Sequence, residues 1–464
     1  MAVGVAALAT FAIVILCSSV VDQELTPQAR ALFTAPSPAV VKPGSGYALI
    51  AGFDSPEGSD PRTTGATWAE NVRKAAVEGG RYPVPRGRLA IKASVDMICI
   101  PEATDCLAHS RGNPIWFEEL ARDNAALLAR YDELQRDEDL TDGNMVFSYN
   151  APLPPYSVVM QAQNVFLTLA AYRANRGKLD ETLAMLEMDR AFQRRRLSQS
   201  ATIISKMVGA RALLRDLLVT SQLLRSRAAF TPSQLEAIGR IASPLDRQEI
   251  ALSGPIRKEL SEFAAMMERL KNGKVITTAD LAQWESKALN TDAAYLGSSL
   301  YVVRFFAAPN ATLNFMEPVQ GSWLALDAVE SRDLDQAIAR IRQENAERLR
   351  PTVAWAYNPL GRWLATQLVD DLSQYVMRVR DVDAFARLVC VQTQVKASAI
   401  GPAAIEAFLA LSDPRCHDPY TDKPFRWDAA AGQIWFKPGS ARIAADNIGG
   451  RKDRVGIALA PQAQ

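Results

Sequence analysis

The segment IISKMVGARALLRDLLVTSQLL, residues 203–224, decides the fold class of this chain. Its apolar and small positions recur at alternating steps of four and three residues, which places them on one face of an α-helix. The positions on this face are Ile203, Met207, Ala210, Leu214, Leu217, Ser221 and Leu224. Other apolar residues widen the stripe, as expected for a helix that packs against several neighbours. We therefore predict a long buried helix, with Leu214 and Leu217 at its inaccessible centre.

Two further helices are predicted directly upstream of this segment. Apolar residues from Val158 to Tyr172 share one helical face, Gly177 follows them, and a new stripe begins at Leu179–Leu186. A glycine just past the last apolar position ends a helix because it adopts the left-handed conformation without strain. The sequence therefore predicts an antiparallel helical hairpin followed by the longer third helix.

The hairpin resembles the helix-turn-helix unit of tetratricopeptide repeats, through Tyr172, Gly177 and the segment Leu179–Leu186. That resemblance implies a partner-binding groove. The spacing from Tyr172 to Gly177 is one residue longer than in that family, and no second copy recurs at the expected period of about 34 residues. An ordinary helical core is the simpler interpretation. We predict a mainly α fold, built as an irregular antiparallel helical array or bundle.

The composition argues against several functional classes. The chain has 464 residues, with 52 Lys and Arg against 51 Asp and Glu, whereas a nucleic-acid binder shows a basic excess. The basic run Arg194–Arg196 is predicted to be a solvated helix face rather than a phosphate site. His109 and His417 are the only histidines, which excludes multi-histidine metal sites. The motifs of common cofactor and metal sites are missing from the sequence, so we predict no cofactor and no bound metal.

Residues 1–24 are predicted to anchor the chain in a membrane. The run Val3–Val21 carries no charged side chain and is close to the ~20 residues that span a bilayer core. A cleaved signal peptide ranks second, since it has a shorter apolar core and a basic start. A lipoprotein ranks third, because Leu16 precedes Cys17 where a small residue is needed, and a buried core helix is the remaining alternative. We expect a single-pass protein of the bacterial inner membrane, with its body in the periplasm.

The cysteines fit an exported protein. Cys99 and Cys106 enclose a short loop, which predicts a disulfide outside the cytosol. Cys390 and Cys416 form a second pair only if the fold brings them together.

Composition divides the rest of the chain into three parts. Residues 25–114 are rich in Pro, Gly and Ser, which predicts a loop-rich membrane-proximal region with a short helix at Trp68–Ala76. Residues 115–411 carry helical periodicity and form the predicted α-helical body. Residues 412–464 are predicted to form a small β-hairpin and a tail.

Two local patterns frame the helical body. Ile115–Gln135 is predicted to be one helix. The residues expected on its buried side are Trp116, Leu120 and Leu127. Near the C-terminus, Phe425–Trp427 and Ile434–Phe436 flank a turn that contains Gly432, which is a β-hairpin signal.

The segment Asp418-Pro-Tyr-Thr-Asp-Lys-Pro-Phe425 carries a second resemblance. It is similar to the Asp-Pro-aromatic-Thr-Gly-x-Pro segment that closes many exported, membrane-anchored helical bacterial proteins, and a related hairpin occurs in pseudopilins. The Gly/Asp-rich tail of those proteins is missing here. The resemblance covers roughly a tenth of the chain and implies export rather than an activity.

One acidic residue is a candidate for catalysis. Glu285-Ser286, followed by Ala293-Ala294-Tyr295, is similar to part of the lytic transglycosylase pattern, in which the Glu is a general acid in an apolar pocket. Trp284 stands where such a wall is needed, whereas the family's Gly-Leu-Met-Gln segment is missing. A cell-wall glycan-cleaving enzyme with Glu285 as general acid is therefore the alternative hypothesis. The leading one is a structural or protein-interacting role at the membrane, with other envelope proteins as partners and without nucleic acid.

Overall fold

The fold is mainly α-helical with one small antiparallel sheet, which confirms the predicted class. The computed structural model describes residues 22–34, 40–78, 88–141, 151–227, 229–271, 308–352, 357–358, 361–363, 365, 372–440 and 453–459. The helices are α1 (Pro27–Phe33), α2 (Gly46–Ala51), α3 (Pro61–Glu78), α4 (Cys106–His109), α5 (Pro114–Asp123), α6 (Ala125–Arg136), α7 (Tyr156–Asn175), α8 (Leu179–Gln199), α9 (Ile203–Ser226), α10 (Pro232–Ile241), α11 (Arg247–Ile250), α12 (Ser253–Lys271), α13 (Pro309–Leu324), α14 (Leu334–Arg348), α15 (Ser373–Ala397) and α16 (Ile405–Ala410). The strands are β1 (Arg426–Asp428), β2 (Gln433–Phe436) and β3 (Val455–Ala458).

Helix α9 is the hub of the molecule, as predicted. Thr202 caps its first turn by accepting a hydrogen bond from the backbone N–H of Ser205 at 3.1 Å. The helix packs against α7, α8, α12 and α15, so it is covered nearly all round. Leu214 and Leu217 are 3% and 0% exposed, which confirms that they lie at the buried centre.

The hairpin upstream of the hub also forms as predicted. Helices α7 and α8 pack against each other, and both pack against α9. Gly177 separates α7 from α8 with a φ of +83°, the left-handed conformation that a helix stop of this kind requires.

The N-terminal region contains a longer helix than the sequence predicts. Helix α3 covers Pro61–Glu78, whereas the prediction was limited to Trp68–Ala76. Its early part crosses α2 at very close range, where Gly52 and Gly65 face each other. A Cβ atom on Gly65 would lie only 1.9 Å from the carbonyl oxygen of Ala48. The glycines that look like loop signals in the sequence therefore permit a close helix crossing.

The predicted single helix at Ile115–Gln135 is wrong in two respects. It breaks at Asn124, whose side chain accepts from the N–H of Lys92 at 2.8 Å and donates to its carbonyl at 3.1 Å. Trp116 is exposed, and Phe117 takes the interior position beside the buried Leu120. The stripe of Trp116, Leu120 and Leu127 gives no indication of the break at Asn124 or of the interior position of Phe117.

The C-terminal hairpin is confirmed, with Trp427 opposite Ile434. Gly432 occupies the turn with a φ of +62°. Strand β3, which comes from the predicted tail, pairs antiparallel with β2 and completes a three-stranded sheet. The sheet packs on α15 through β2 and β3, and all four residues of β3 are buried.

Two predictions fall outside the described residues: the membrane anchor at 3–21 and the candidate acid Glu285. Within the ranges that the structure does describe, no helix is both long and apolar enough to cross a bilayer.

Candidate interaction surface

The structure contains one disulfide within a short loop and another between two separate segments. Cys99 and Cys106 are bonded with their Cα atoms 5.4 Å apart, as predicted for this loop. Cys390, on α15, is bonded to Cys416, with a Cα–Cα distance of 5.9 Å. The second pairing required tertiary information, because only the fold brings the turn at 414–416 against α15.

The loop closed by Cys99 and Cys106 is bound to helix α9 by hydrogen bonds and ion pairs. Glu102 is buried and accepts hydrogen bonds from the Nε atoms of Arg211 and Arg215, both at 2.9 Å. Residues four apart on a helix lie on one face, so the two guanidinium groups reach the same carboxylate. The loop is therefore held by a charge-assisted clamp in addition to its disulfide.

A second set of contacts fixes the end of this loop. Gln222 donates to the carbonyl of Thr104 at 3.2 Å and accepts from the N–H of Cys106 at 2.9 Å. Asp105 forms an ion pair with Arg225 and also caps α4 by accepting from Leu107 and Ala108. The disulfide loop and α4 thus form one platform on the hub helix α9.

Helix α5 continues from this platform and is fixed on its inner side. Asn113 caps its first turn by accepting from the N–H of Ile115 at 3.0 Å. The ring of Phe117 stacks on Tyr172 of α7 with a centroid distance of 4.7 Å. His109 lies edge-on to Phe117 at 6.3 Å, so this histidine belongs to an aromatic packing cluster rather than to a catalytic triad.

The outer side of the same helix turn exposes two large apolar residues. Ile115 is 59% exposed and Trp116 is 52% exposed. Single exposed apolar residues are common on protein surfaces, but a tryptophan is the residue type most enriched at the energetic centres of interfaces. We call Ile115 and Trp116 together the α5 tip. It is an apolar protrusion on a rigid base, which is a geometry suited to insertion into a partner.

Beneath the helices lies a buried acidic centre that the sequence analysis missed. Asp189, on α8, accepts hydrogen bonds from the hydroxyl of Tyr131 at 2.7 Å and from the amide of Gln163 at 3.0 Å. Gln135 and Gln193 donate to the same carboxylate at 3.0 and 3.2 Å. Four donors from three helices therefore converge on one fully buried acid, which fixes α6, α7 and α8 relative to each other.

Asp216 joins this centre from the hub helix. Burial, together with the negative charge and hydrogen bond of Asp189, raises the pKa of Asp216 well above its ordinary value. The raised pKa favours the neutral form of the Asp216 carboxyl within this buried pair. Burial likewise raises the pKa of Tyr131 well above its ordinary value, so its hydroxyl remains a donor. Because both acids are fully buried, this centre orders the fold and does not meet a substrate in this conformation.

The predicted solvated face at Arg194–Arg196 is wrong. Arg196 is only 2% exposed, and its guanidinium lies 5.0 Å from the ring centroid of Tyr156. Arg194 forms an ion pair with Glu249, whose side chain is buried. Helix α8 is covered by α10 and α11, so its basic run faces protein instead of water.

The other ionisable candidates have structural positions. His417 contacts the carbonyl oxygens of Ser412 and Asp422 at 3.2 and 3.4 Å, within the turn of the C-terminal motif. Glu119, on the surface of α5, lies 3.9 Å from Arg122. Over the residues that the structure describes, no group of three or more His, Cys, Asp or Glu side chains is placed to hold a metal ion.

The buried acids could have been recognised in the sequence, because one of them falls in phase with an apolar stripe. The apolar stripe of α8 runs through Leu183 and Leu186, and its continuation falls on Asp189 and Arg190. Charged residues in phase with an apolar stripe indicate a buried polar centre. No protein-family model matches this chain, and neither a curated protein nor a solved structure is detectably similar to it.

Proposed function

We propose that the protein is a membrane-anchored, extracytoplasmic helical protein that binds another envelope protein through the α5 tip. The observation that carries this proposal is the exposure of Ile115 and Trp116 on a helix whose inner side packs on α7 through Phe117. A pre-ordered apolar anchor loses little conformational entropy when it enters a partner's pocket, which favours binding.

The location is supported by the cysteines and the N-terminal sequence. Disulfides persist in oxidising compartments and are rare in the cytosol. Both cysteine pairs have the Cα separation of a disulfide, at 5.4 and 5.9 Å. Residues 3–21 supply an uncharged run near the length of a bilayer core. A reporter that is active only outside the cytoplasm should work when it is fused after Gln464, and a reporter restricted to the cytoplasm should not.

The interaction role is supported by the distribution of polar groups. The acids and arginines of the hub are taken up by internal contacts, as shown by Asp189 with its four donors and by Glu102 with its two arginines. These hydrogen bonds and ion pairs hold the helices of the body in place. The α5 tip is by contrast an apolar feature without such an internal role.

A pull-down from solubilised membranes tests the proposal. Trp116→Ala should lose a protein that co-purifies with the wild type, since truncating a central interface tryptophan weakens binding by about 2 kcal/mol or more. Leu411→Ala is the matched control, because Leu411 is also a large apolar residue and is 88% exposed. An identical set of co-purified proteins for wild type and both variants would contradict an interaction through the α5 tip.

A further inference from the structure

A pocket of about 200 Å³ opens at the N-terminal end of α13. Three segments that lie far apart in the sequence form it, and they contribute Gln23, Phe315 and Arg362 among other residues. Nothing in the proposed interaction through the α5 tip uses this pocket. Its side chains combine a cation, amide groups and an aromatic wall.

The wall that carries Arg362 is pinned to α13. Asn358 has a left-handed backbone with a φ of +56°, and its side-chain oxygen accepts from the N–H groups of Ala308 at 3.0 Å and Gly361 at 3.2 Å. Its amide nitrogen donates to the hydroxyl of Thr312 at 2.9 Å. The left-handed Asn358 side chain thus joins Gly361 to the first turn of α13.

Arg362 presents a positive charge that no described carboxylate neutralises. Its guanidinium lies 4.5 Å from the ring centroid of Phe315, which is a cation–π contact. No ion pair joins it to an acid in the described part of the chain. Burial lowers the pKa of Arg362, and no acidic neighbour offsets this effect. A partly desolvated guanidinium stacked on an aromatic face is well placed to bind an anion bidentately.

On the opposite wall, Asp22 bonds the N-terminus of α13 and Gln23 contributes an amide. Asp22 caps α13 by accepting from the N–H groups of Asn310 at 3.0 Å and Ala311 at 3.1 Å, so its charge is used at the helix terminus. The side-chain oxygen of Gln23 accepts from Asn314 at 3.2 Å. The amide nitrogen of Gln23 has no acceptor among the described residues and adds a hydrogen-bond donor to the pocket lining.

We propose that this pocket binds a phosphate group, with Arg362 as its principal partner and the ring of Phe315 as the wall for the organic part of the ligand. The guanidinium of Arg362 and the amide of Gln23 are reason enough to expect an anionic ligand in this pocket. The choice of phosphate, and of an anionic phospholipid headgroup as its source, rests on the proposed membrane anchoring, because Asp22 directly follows the apolar run 3–21. A soluble phosphate ester has the same chemistry, and affinity distinguishes the two sources.

Calorimetric titration of the full chain in a neutral detergent tests this site. The probes are dihexanoyl phosphatidylglycerol, glycerol phosphate and, as a neutral control, dihexanoyl glycerol. Arg362→Gln should weaken binding of both phosphate probes by roughly tenfold or more, since a charge-assisted hydrogen bond to phosphate is lost. Arg340→Gln, which removes an exposed arginine from α14, should bind like the wild type. Gln23→Ala gives a second, weaker reduction and serves if Arg362→Gln does not fold.

The titrations distinguish a lipid headgroup site from a site for a soluble phosphate ester. Tighter binding of the lipid than of glycerol phosphate, lost with Arg362, supports the headgroup site. Equal affinities, again lost with Arg362, support the phosphate site but assign it to a soluble ester and contradict the lipid source. Lack of saturable binding of either phosphate probe to the wild type, or equal affinity in wild type and Arg362→Gln, overturns the proposal. None of these titrations depends on the cellular location or on the α5 tip, so failure here is distinct from failure of the proposed function.

Discussion

The hydroxyl of Tyr420 donates a hydrogen bond to the carboxylate of Asp381 at 2.6 Å, and this bond joins the C-terminal motif to helix α15. The same carboxylate accepts from the N–H groups of Gly439 at 2.8 Å and Ser440 at 2.9 Å. The segment Asp418–Phe425 thus has a structural role here. One buried acid holds two turns of the C-terminal region against the helical body.

This acid predicts a pH-dependent stability. Burial raises the pKa of Asp381 from its ordinary 3.8 to about 6 in the folded protein. Between these values the folded state binds more protons than the unfolded state, so the contribution of Asp381 to stability falls as pH rises through about 6. The free energy of unfolding of the wild type, relative to Asp381→Asn, should therefore decrease between pH 4 and pH 6.5 by at most roughly 3 kcal/mol.

Denaturant unfolding at several pH values measures this difference. Asp335→Asn, at an exposed position on α14, is the control and should follow the wild type at every pH. A constant difference between wild type and Asp381→Asn across the range would show that Asp381 has an ordinary pKa.

The hub helix offers a paired test of packing. Leu214→Ala should lower the free energy of unfolding by about 2–5 kcal/mol, from lost apolar transfer plus the cavity that remains. Ile204→Ala lies on the same helix at an exposed position and should change stability by less than about 1 kcal/mol. Chemical denaturation of both variants decides the matter. Equal effects would mean that α9 is not the centre of the core.

The buried acidic pair predicts opposite outcomes for two similar substitutions. Burial and Asp189 raise the pKa of Asp216, which favours its neutral form, and Gln163 donates to it at a long 3.3 Å, so Asp216→Asn should change stability by no more than about 1 kcal/mol. Asp189→Asn replaces one of the two carboxylate oxygens that accept from Tyr131 and Gln163 by an amide donor and should destabilise by roughly 2–4 kcal/mol. Thermal and denaturant unfolding at pH 7 compare the two variants. Similar losses of stability for both variants would contradict the larger structural role of Asp189.

The elements that could be predicted from the sequence are those specified by neighbouring residues. The stripe of α9, the stop at Gly177 and the β1–β2 hairpin each depend on residues within a few turns, and each forms as expected. Strand β3 was missed because residues 437–454 separate it from β2 in the sequence, so no local pattern marks its partner.

The sequence predictions failed where tertiary packing buries charged residues or exposes apolar ones, against their usual tendency. Arg196 and Asp189 are charged yet buried, since helices on both sides of α8 leave no solvent for them. Trp116 is apolar yet exposed, because Phe117 is the residue of this helix turn that faces the interior together with Leu120. The pocket at Arg362 had no local signal at all, because three distant segments build it.

The disulfides predict a specific mass-spectrometric result. Protein purified without reductant should yield linked peptides for Cys99 with Cys106 and for Cys390 with Cys416. The double variant Cys99→Ser, Cys106→Ser should lower the free energy of unfolding by up to about 3 kcal/mol, because the closed loop is short. The Glu102 clamp remains in that variant, so the protein should still fold. Free thiols at all four positions would remove the argument for an oxidising compartment.

Photo-crosslinking in intact cells tests the central claim, an envelope partner at the α5 tip, most directly. A benzophenone amino acid in place of Trp116 should give a discrete adduct with one other envelope protein, because a side chain inserted in a partner's pocket lies within bonding reach. The same probe at Leu411 is the matched control and should give no such adduct. The account predicts an adduct at position 116 alone. No discrete adduct at 116, or the same adduct at both positions, would contradict it.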